Sequence, residues 1–381
     1  MQATPQVSST RAERPDFLRL ANELGPALAA RAAHHDERES FVAESFQLLR
    51  EHGFFKALVP EELGGSGAGH AEMCAVLRRL ATYCSSTGLA FSMHCHLVAV
   101  AAYRWRHQQA PTDGLLRRIA SENLVLCSSG GSDWLESAGR AERVEGGFAI
   151  TARKIFSSGS PVGDLLSTSA VYDDPQAGPT VLHFGVALKG KGVTILDTWH
   201  ALGMRGTGSH DVELERVFVP DAAIAGKRPQ GKWHPLFHTI SMLAFPLIYA
   251  AYVGVAEAAR DKAIALAKQR LTPALIPLVG QLENAFLEAV IALDRMVALA
   301  AQAKPGPETT GEAMACRTLC GQAAIRTVSQ ALEVAGGAAF YRKHDLERLF
   351  RDVQGARFHP LRDHAQLDYT GRLALGLDLD G

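Results

Sequence analysis

The sequence has no basic tract, no CxxC pair and no nucleotide-binding glycine fingerprint. Its 39 Lys and Arg against 40 Asp and Glu leave a net charge of -1 over 381 residues. Nucleic-acid binding needs a concentrated basic surface to neutralise phosphates, so that class is excluded. The six cysteines, Cys74, Cys84, Cys95, Cys127, Cys316 and Cys320, follow no zinc spacing. No metal site is expected, and a reduced, cytoplasmic protein is the default. Cys316 and Cys320 share a helix face, where packed thiols are the simpler reading. The amino-terminal MQATPQVSST lacks an apolar core, so no secretory signal is expected. Residues 240–256 form the longest apolar run, but it is shorter than the ~20 residues a span requires. Pro246 interrupts it and a charged helical pattern continues it, so a helix at the centre of a bundle is expected rather than a membrane span.

At 47% hydrophobic and 21% charged, the chain is long enough for two or three domains of ~150 residues or one multilayered unit. Residues 1–120 read as helical, broken by the loop VPEELGGSGAG. Residues 121–222 change character: LVLCSS, RAERVEGGFAITARKIF, LLSTSAVYD, TVLHFGVAL and HDVELERVFVP are strand-like, with a hairpin at Gly146-Gly147. Helical patterning returns over 223–381, with a long segment ending at Gly336-Gly337.

Two glycine-rich pieces invite a ligand-binding reading. SSGGSD (128–133) follows a strand without the GxGxxG form, and GMRGTGSHD (203–211) precedes a strand rather than a helix. Neither is a dinucleotide or phosphate loop resting on a helix N-terminus. Ordinary β-turns and close backbone approach to a planar ligand both account for them.

Taken together in order, HGFFKALVPEELGGSG, SSGGSD, KIFSSG, LGMRGTGSHDVELERVFVP, EVAGGAAF and LERLFRD resemble the acyl-CoA dehydrogenase superfamily from about residue 15 to 370. The resemblance implies an α+β, mostly α fold: an N-terminal helical domain, a middle β-barrel-like domain and a C-terminal four-helix bundle. It further implies a homotetramer or dimer, with flavin between the middle and C-terminal domains. Ser132 matches a serine beside the flavin or its substrate. Ser158 matches the hydroxyl partner of flavin N5, and Phe156 takes the tryptophan position over the ring. Arg270 and Gln281 match residues that reach a neighbouring subunit's flavin. Turn capping remains the alternative for the serines, and a solvated helix-end cation for Arg270.

Departures from the family pattern are equally informative. The glutamate that abstracts the substrate α-proton is replaced within RDVQGARFHP by His359 and Pro360, and the alternative base position holds Ala244. Glu333 replaces the glutamine before Gly336-Gly337, where a carboxylate beside pyrophosphate is repulsive, and Pro273-Ala274 replaces the adenosine-packing FG pair. FMN avoids both problems, whereas FAD is the family default.

These departures resemble the flavin monooxygenase branch of the superfamily, which includes dibenzothiophene monooxygenase. Its members take reduced flavin from a separate reductase and oxygenate an aromatic or sulfur substrate through a flavin C4a-(hydro)peroxide. The implied set here is Ser158, His359 and one of His94 or His96. Two residues apart on a helix, the two histidines point to different faces. We take His94, with His359 as a histidine of near-neutral pKa. A dehydrogenase with a displaced base and a non-catalytic flavin or acyl-thioester binding paralogue stand as alternatives.

Overall fold

A computed structural model describes residues 14–129 and 131–380, with only the backbone of Ser132. The N-terminal part comprises α1 (Phe17–Arg38), α2 (Ala43–Glu51), α3 (His70–Tyr83), α4 (Ser85–Gln108) and α5 (Asp113–Glu122). Asp16 starts α1 by accepting the Arg19 N–H at 2.9 Å, satisfying one orphan donor. Between α2 and α3 the glycine loop turns with Gly64 and Gly67 at positive φ, which side chains disfavour.

The middle part is an eight-stranded sheet, ordered β6-β7-β3-β2-β4-β5-β8 with β1 beside β4. Its strands are β1 (Leu126–Ser128), β2 (Arg140–Val144), β3 (Gly147–Ser157), β4 (Leu165–Asp174), β5 (Gly178–Ala187), β6 (Val193–Ile195), β7 (His210–Pro220) and β8 (Ile224–Pro229). A single bridge, Arg140 with Val171, joins its two halves, which fold over one apolar core containing Phe148, Ile150, Leu182 and Leu214. Along β7 the buried set switches from Val212 and Leu214 to Val217 and Val219. Arg216, at φ 48°, lies in an irregularity opposite Thr151 that shifts the pleat by one residue. The strands β6 and β8 are additions to the sequence reading. Because β8 pairs with β5, the sheet extends to Pro229 rather than ending at 222.

The C-terminal part contains α6 (Pro235–Lys268), α7 (Leu275–Gln302), α8 (Pro307–Ala335), α9 (Leu346–Val353) and α10 (Asp363–Leu375). Two helices, α6 and α7, are long and apolar enough to cross a membrane by composition. In α6 the apolar stretch is enclosed by α3, α4, α7 and α8, as expected of a central bundle helix. Close approach depends on small residues: a Cβ on Gly254 would lie 2.2 Å from the Arg78 carbonyl oxygen of α3. By contrast, α7 leaves Ile276, Leu287 and Ile291 exposed.

All three parts meet at the 202–209 loop. Asp352 of α9 accepts the Met204 N–H at 2.6 Å. Arg351 grips Asp36 of α1 through both carboxylate oxygens at 2.9 and 2.6 Å and also donates to the Leu202 carbonyl. At Gly203 a Cβ would sit 2.3 Å from the Arg351 carbonyl. Gly203→Ala is therefore expected to lower stability by about 1–3 kcal/mol, through forced separation of loop and helix, when measured by urea unfolding.

Candidate functional site

A cavity of about 400 Å³ opens where α4, the sheet, the 202–209 loop and α6 converge. Its deep wall is apolar and aromatic, formed by Met93, Leu97, Trp134, Phe237, Ile240 and Phe245. Trp134 lies at 4.8 Å centroid distance from Phe237 and stacks near Phe245. Phe156, Leu202 and Phe358 line the cavity while remaining solvent-exposed, with Trp199 edge-on to Phe156 at 5.9 Å. Ser158 is on the same wall.

The SSGGSD turn is held from beneath. Lys154 continues the inward-facing alternation of Phe148, Ile150 and Ala152 on β3 and is fully buried. Burial lowers its pKa, opposed by Asp133, which accepts its ammonium at 2.8 Å. Carbonyls of Ala138 and Ser169 take its other protons. Asp133 also accepts the Ala138 N–H at 3.0 Å. Its role is structural, and it is the sole carboxylate among the described residues that line the cavity.

The histidines separate clearly. His94 does not line the cavity, which corrects our choice between it and His96. Its Nδ1 accepts the Leu126 N–H at 3.1 Å and its Nε2 donates to the Phe55 carbonyl at 2.7 Å, so it ties α4 to β1 with both nitrogens occupied. His96 faces the cavity with no hydrogen bond from the described residues. Burial pushes both imidazoles down to about 4.

His359 also lines the cavity. Its Nε2 lies 2.7 Å from Tyr252 Oη, whose only hydrogen-bonding partner among the described residues it is. Burial raises the Tyr252 pKa well above its usual value. The phenol keeps its proton and shares one hydrogen bond with the imidazole. A Cβ on Gly355 would stand 2.7 Å from the Tyr252 hydroxyl, so the glycine makes room for this pair. Arg317, itself buried, donates to the His359 carbonyl at 2.7 Å. Burial first, then the charges of Arg317 and His96, bring His359 down to about 3. The expected near-neutral histidine is therefore corrected: His359 is neutral, too weak a base to deprotonate a phenol or a C–H at pH 7.

The remaining expected positions lie elsewhere. The Ser132 side chain lies outside the described residues. Arg270 donates to the Val334 carbonyl at 3.0 Å and to that of Ala335, capping α8. Gly336, at φ 55°, leaves room for its guanidinium. Gln281, Glu333 and Gly337 are exposed, and none of these five lines the cavity. Sequence reasoning missed Tyr252, Lys154, Thr207 and Ser209. Only Lys154 carried a local signal, as a lysine at an inward strand position that demands a carboxylate.

The acyl-CoA dehydrogenase N-terminal domain profile matches residues 20–120 and the C-terminal domain profile matches residues 246–359. The amino sugar nitrososynthase RubN8 of Streptomyces rubradiris is 30% identical over 96% of this chain and 90% of its own length. Isobutylamine N-hydroxylase of Streptomyces viridifaciens is 28% identical over 85% of this chain and 87% of its own. A crystal structure of KijD3 with FMN and a dTDP-amino-keto sugar superposes with TM-score 0.87 at 27% identity, covering 97% of both chains. The chain belongs to the acyl-CoA dehydrogenase superfamily. Within it, the protein is a flavin-dependent oxidoreductase.

The cavity fits a flavin. An apolar rim with a hydroxyl at its edge suits a planar ring whose edge is polar. Arg362, also on the wall, forms no ion pair among the described residues and supplies a cation for a phosphate.

Removing the His94 ring leaves two buried groups unpaired, so His94→Ala is expected to cost about 2–4 kcal/mol in urea unfolding, whereas His96→Ala leaves stability unchanged. His94, His96, His183 and His359 all stay neutral when folded, with pKa values of about 4, 4, 4 and 3. The unfolded chain binds their protons below about pH 6.5. Stability is thus expected to be full above that pH and to fall as pH drops toward 4; a urea midpoint flat from pH 7 to 4.5 would contradict this.

Proposed function

We propose that the protein is a flavin monooxygenase that uses reduced FMN and O2 to oxygenate an electron-rich heteroatom of a small molecule, with amine nitrogen as the leading case. The observation that carries this reading is the absence of a free carboxylate among the described cavity residues. Asp133 is bound to Lys154, and His359 is too weak a base for the α-proton of an acyl thioester. The apolar, aromatic part of the wall also favours the neutral, nucleophilic form of an amine over its ammonium. RubN8 and isobutylamine N-hydroxylase, named for chemistry at amine nitrogen, support the choice.

Reduced flavin would supply the oxygen-activating chemistry. Ser158 would meet its N5, Phe156 and Trp199 would flank the ring, and Arg362 would hold the phosphate. His359, with His96, orients the oxygen-bearing or substrate atom, while the aromatic wall excludes water. FMN is preferred to FAD because Arg270 is committed to the end of α8 and Glu333 opposes a pyrophosphate. No dinucleotide fingerprint occurs in the sequence, so a separate reductase is the source of electrons. The apolar face of α7, with Leu287 and Ile291 at 56% and 59% exposure, is read as the contact between copies in a homodimer or homotetramer.

With FMN, a flavin reductase and NADH, an amine panel under 18O2 is expected to yield product carrying label from O2. Anaerobic bleaching of bound oxidised flavin by any acyl-CoA would overturn the reading in favour of a dehydrogenase. Tyr252→Phe is expected to lower kcat about tenfold with flavin affinity unchanged. The same variant should shift the tautomer balance of His359 in 15N NMR, which separates positioning from mere packing.

A further inference from the structure

The Ser158 hydroxyl is the end of a chain. Its Oγ lies 2.8 Å from Ser209 Oγ, which lies 2.6 Å from Thr207 Oγ1, which lies 2.8 Å from the carbonyl oxygen of Met204. A carbonyl oxygen can only accept. All three bonds therefore form in one arrangement alone: Thr207 donates to Met204, Ser209 to Thr207, and Ser158 to Ser209. The terminus is held firmly, because the same carbonyl takes the Thr207 N–H at 3.0 Å and the Trp199 indole N–H at 3.1 Å. Asp352 secures the Met204 N–H. Thr207 and Ser209 are buried at 0% and 3% exposure, and Ser158, Ser209 and Thr207 all line the cavity. With its own proton directed inward, Ser158 turns lone pairs toward the cavity.

We propose that Thr207 and Ser209 are positioning residues that hold Ser158 as a hydrogen-bond acceptor and thereby make the site discriminate between the redox states of flavin. This inference rests on the reading of Ser158 as the partner of N5. Reduced flavin carries a proton on N5 and donates, whereas N5 of oxidised flavin only accepts. For Ser158 to donate to oxidised flavin, one bond of the chain must be given up. The loss of one net hydrogen bond corresponds to about fivefold in affinity. Nothing is transferred covalently; the chain orients protons only.

The test is the ratio of dissociation constants for oxidised and reduced FMN, measured anaerobically on the full chain. Wild type is expected to bind reduced FMN the more tightly. Thr207→Val and Ser209→Ala each free a hydroxyl proton for N5 and are expected to shrink the ratio about fivefold, chiefly by tightening oxidised FMN. Thr207→Val keeps the side-chain volume and leaves the Met204 carbonyl two N–H donors, and an unchanged melting temperature verifies its fold. If the ratio is unchanged in both variants but falls in Ser158→Ala, the chain is overturned while the N5 reading stands. If Ser158→Ala leaves the ratio unchanged, Ser158 does not meet N5 and both fall. Failure of wild type to bind either form of FMN overturns the flavin assignment itself.

Discussion

The carboxylate of Asp352 on the Met204 N–H is the contact on which the site depends. It fixes a loop that touches all three parts of the molecule, and its neighbours reinforce it. Arg351 binds α1 through Asp36, and Gly203 lets the loop lie directly on the α9 backbone. Desolvation raises the Asp352 pKa, and the N–H that it accepts compensates in part. The RD pair and the LGMRGTGS run, about 150 residues apart in sequence, are the two halves of one joint.

From that joint the polar chemistry beside Ser158 and His359 is propagated through neutral groups. The Met204 carbonyl sets the direction of the hydroxyls leading to Ser158, and Arg317 and Tyr252 set the position of His359. Both arrangements end in a neutral group. A site of this kind orients protons and excludes water, which suits oxygen chemistry on a reduced cofactor and does not suit removal of a weakly acidic C–H. The buried Lys154 and Asp133 pair follows the same logic, since its charges cancel each other and add no net charge to the wall.

Much of the fold was legible in the chain. Inward alternation on β3 and β7 identified strands, and the alanine-rich apolar run identified α6 as a central helix. The short strands β6 and β8 were not, because three to six residues carry too little periodicity. The site was less legible. Ser158, Phe156 and His359 do line one cavity, but His94 was preferred to His96 because a helical repeat separates two faces without saying which one faces the ligand.

What the sequence by itself determined is the superfamily, the order of helical and sheet regions and the lack of a glutamate where a dehydrogenase needs its base. These depend on local pattern and residue identity. Tertiary structure alone decided that His359 is neutral, that Tyr252 is its hydrogen-bond partner and that Arg270 caps a helix in its own chain. Each of these follows from burial and from partners at least 42 residues away in sequence, and the free energy of a proton or a charge depends on those surroundings rather than on the residue that carries it.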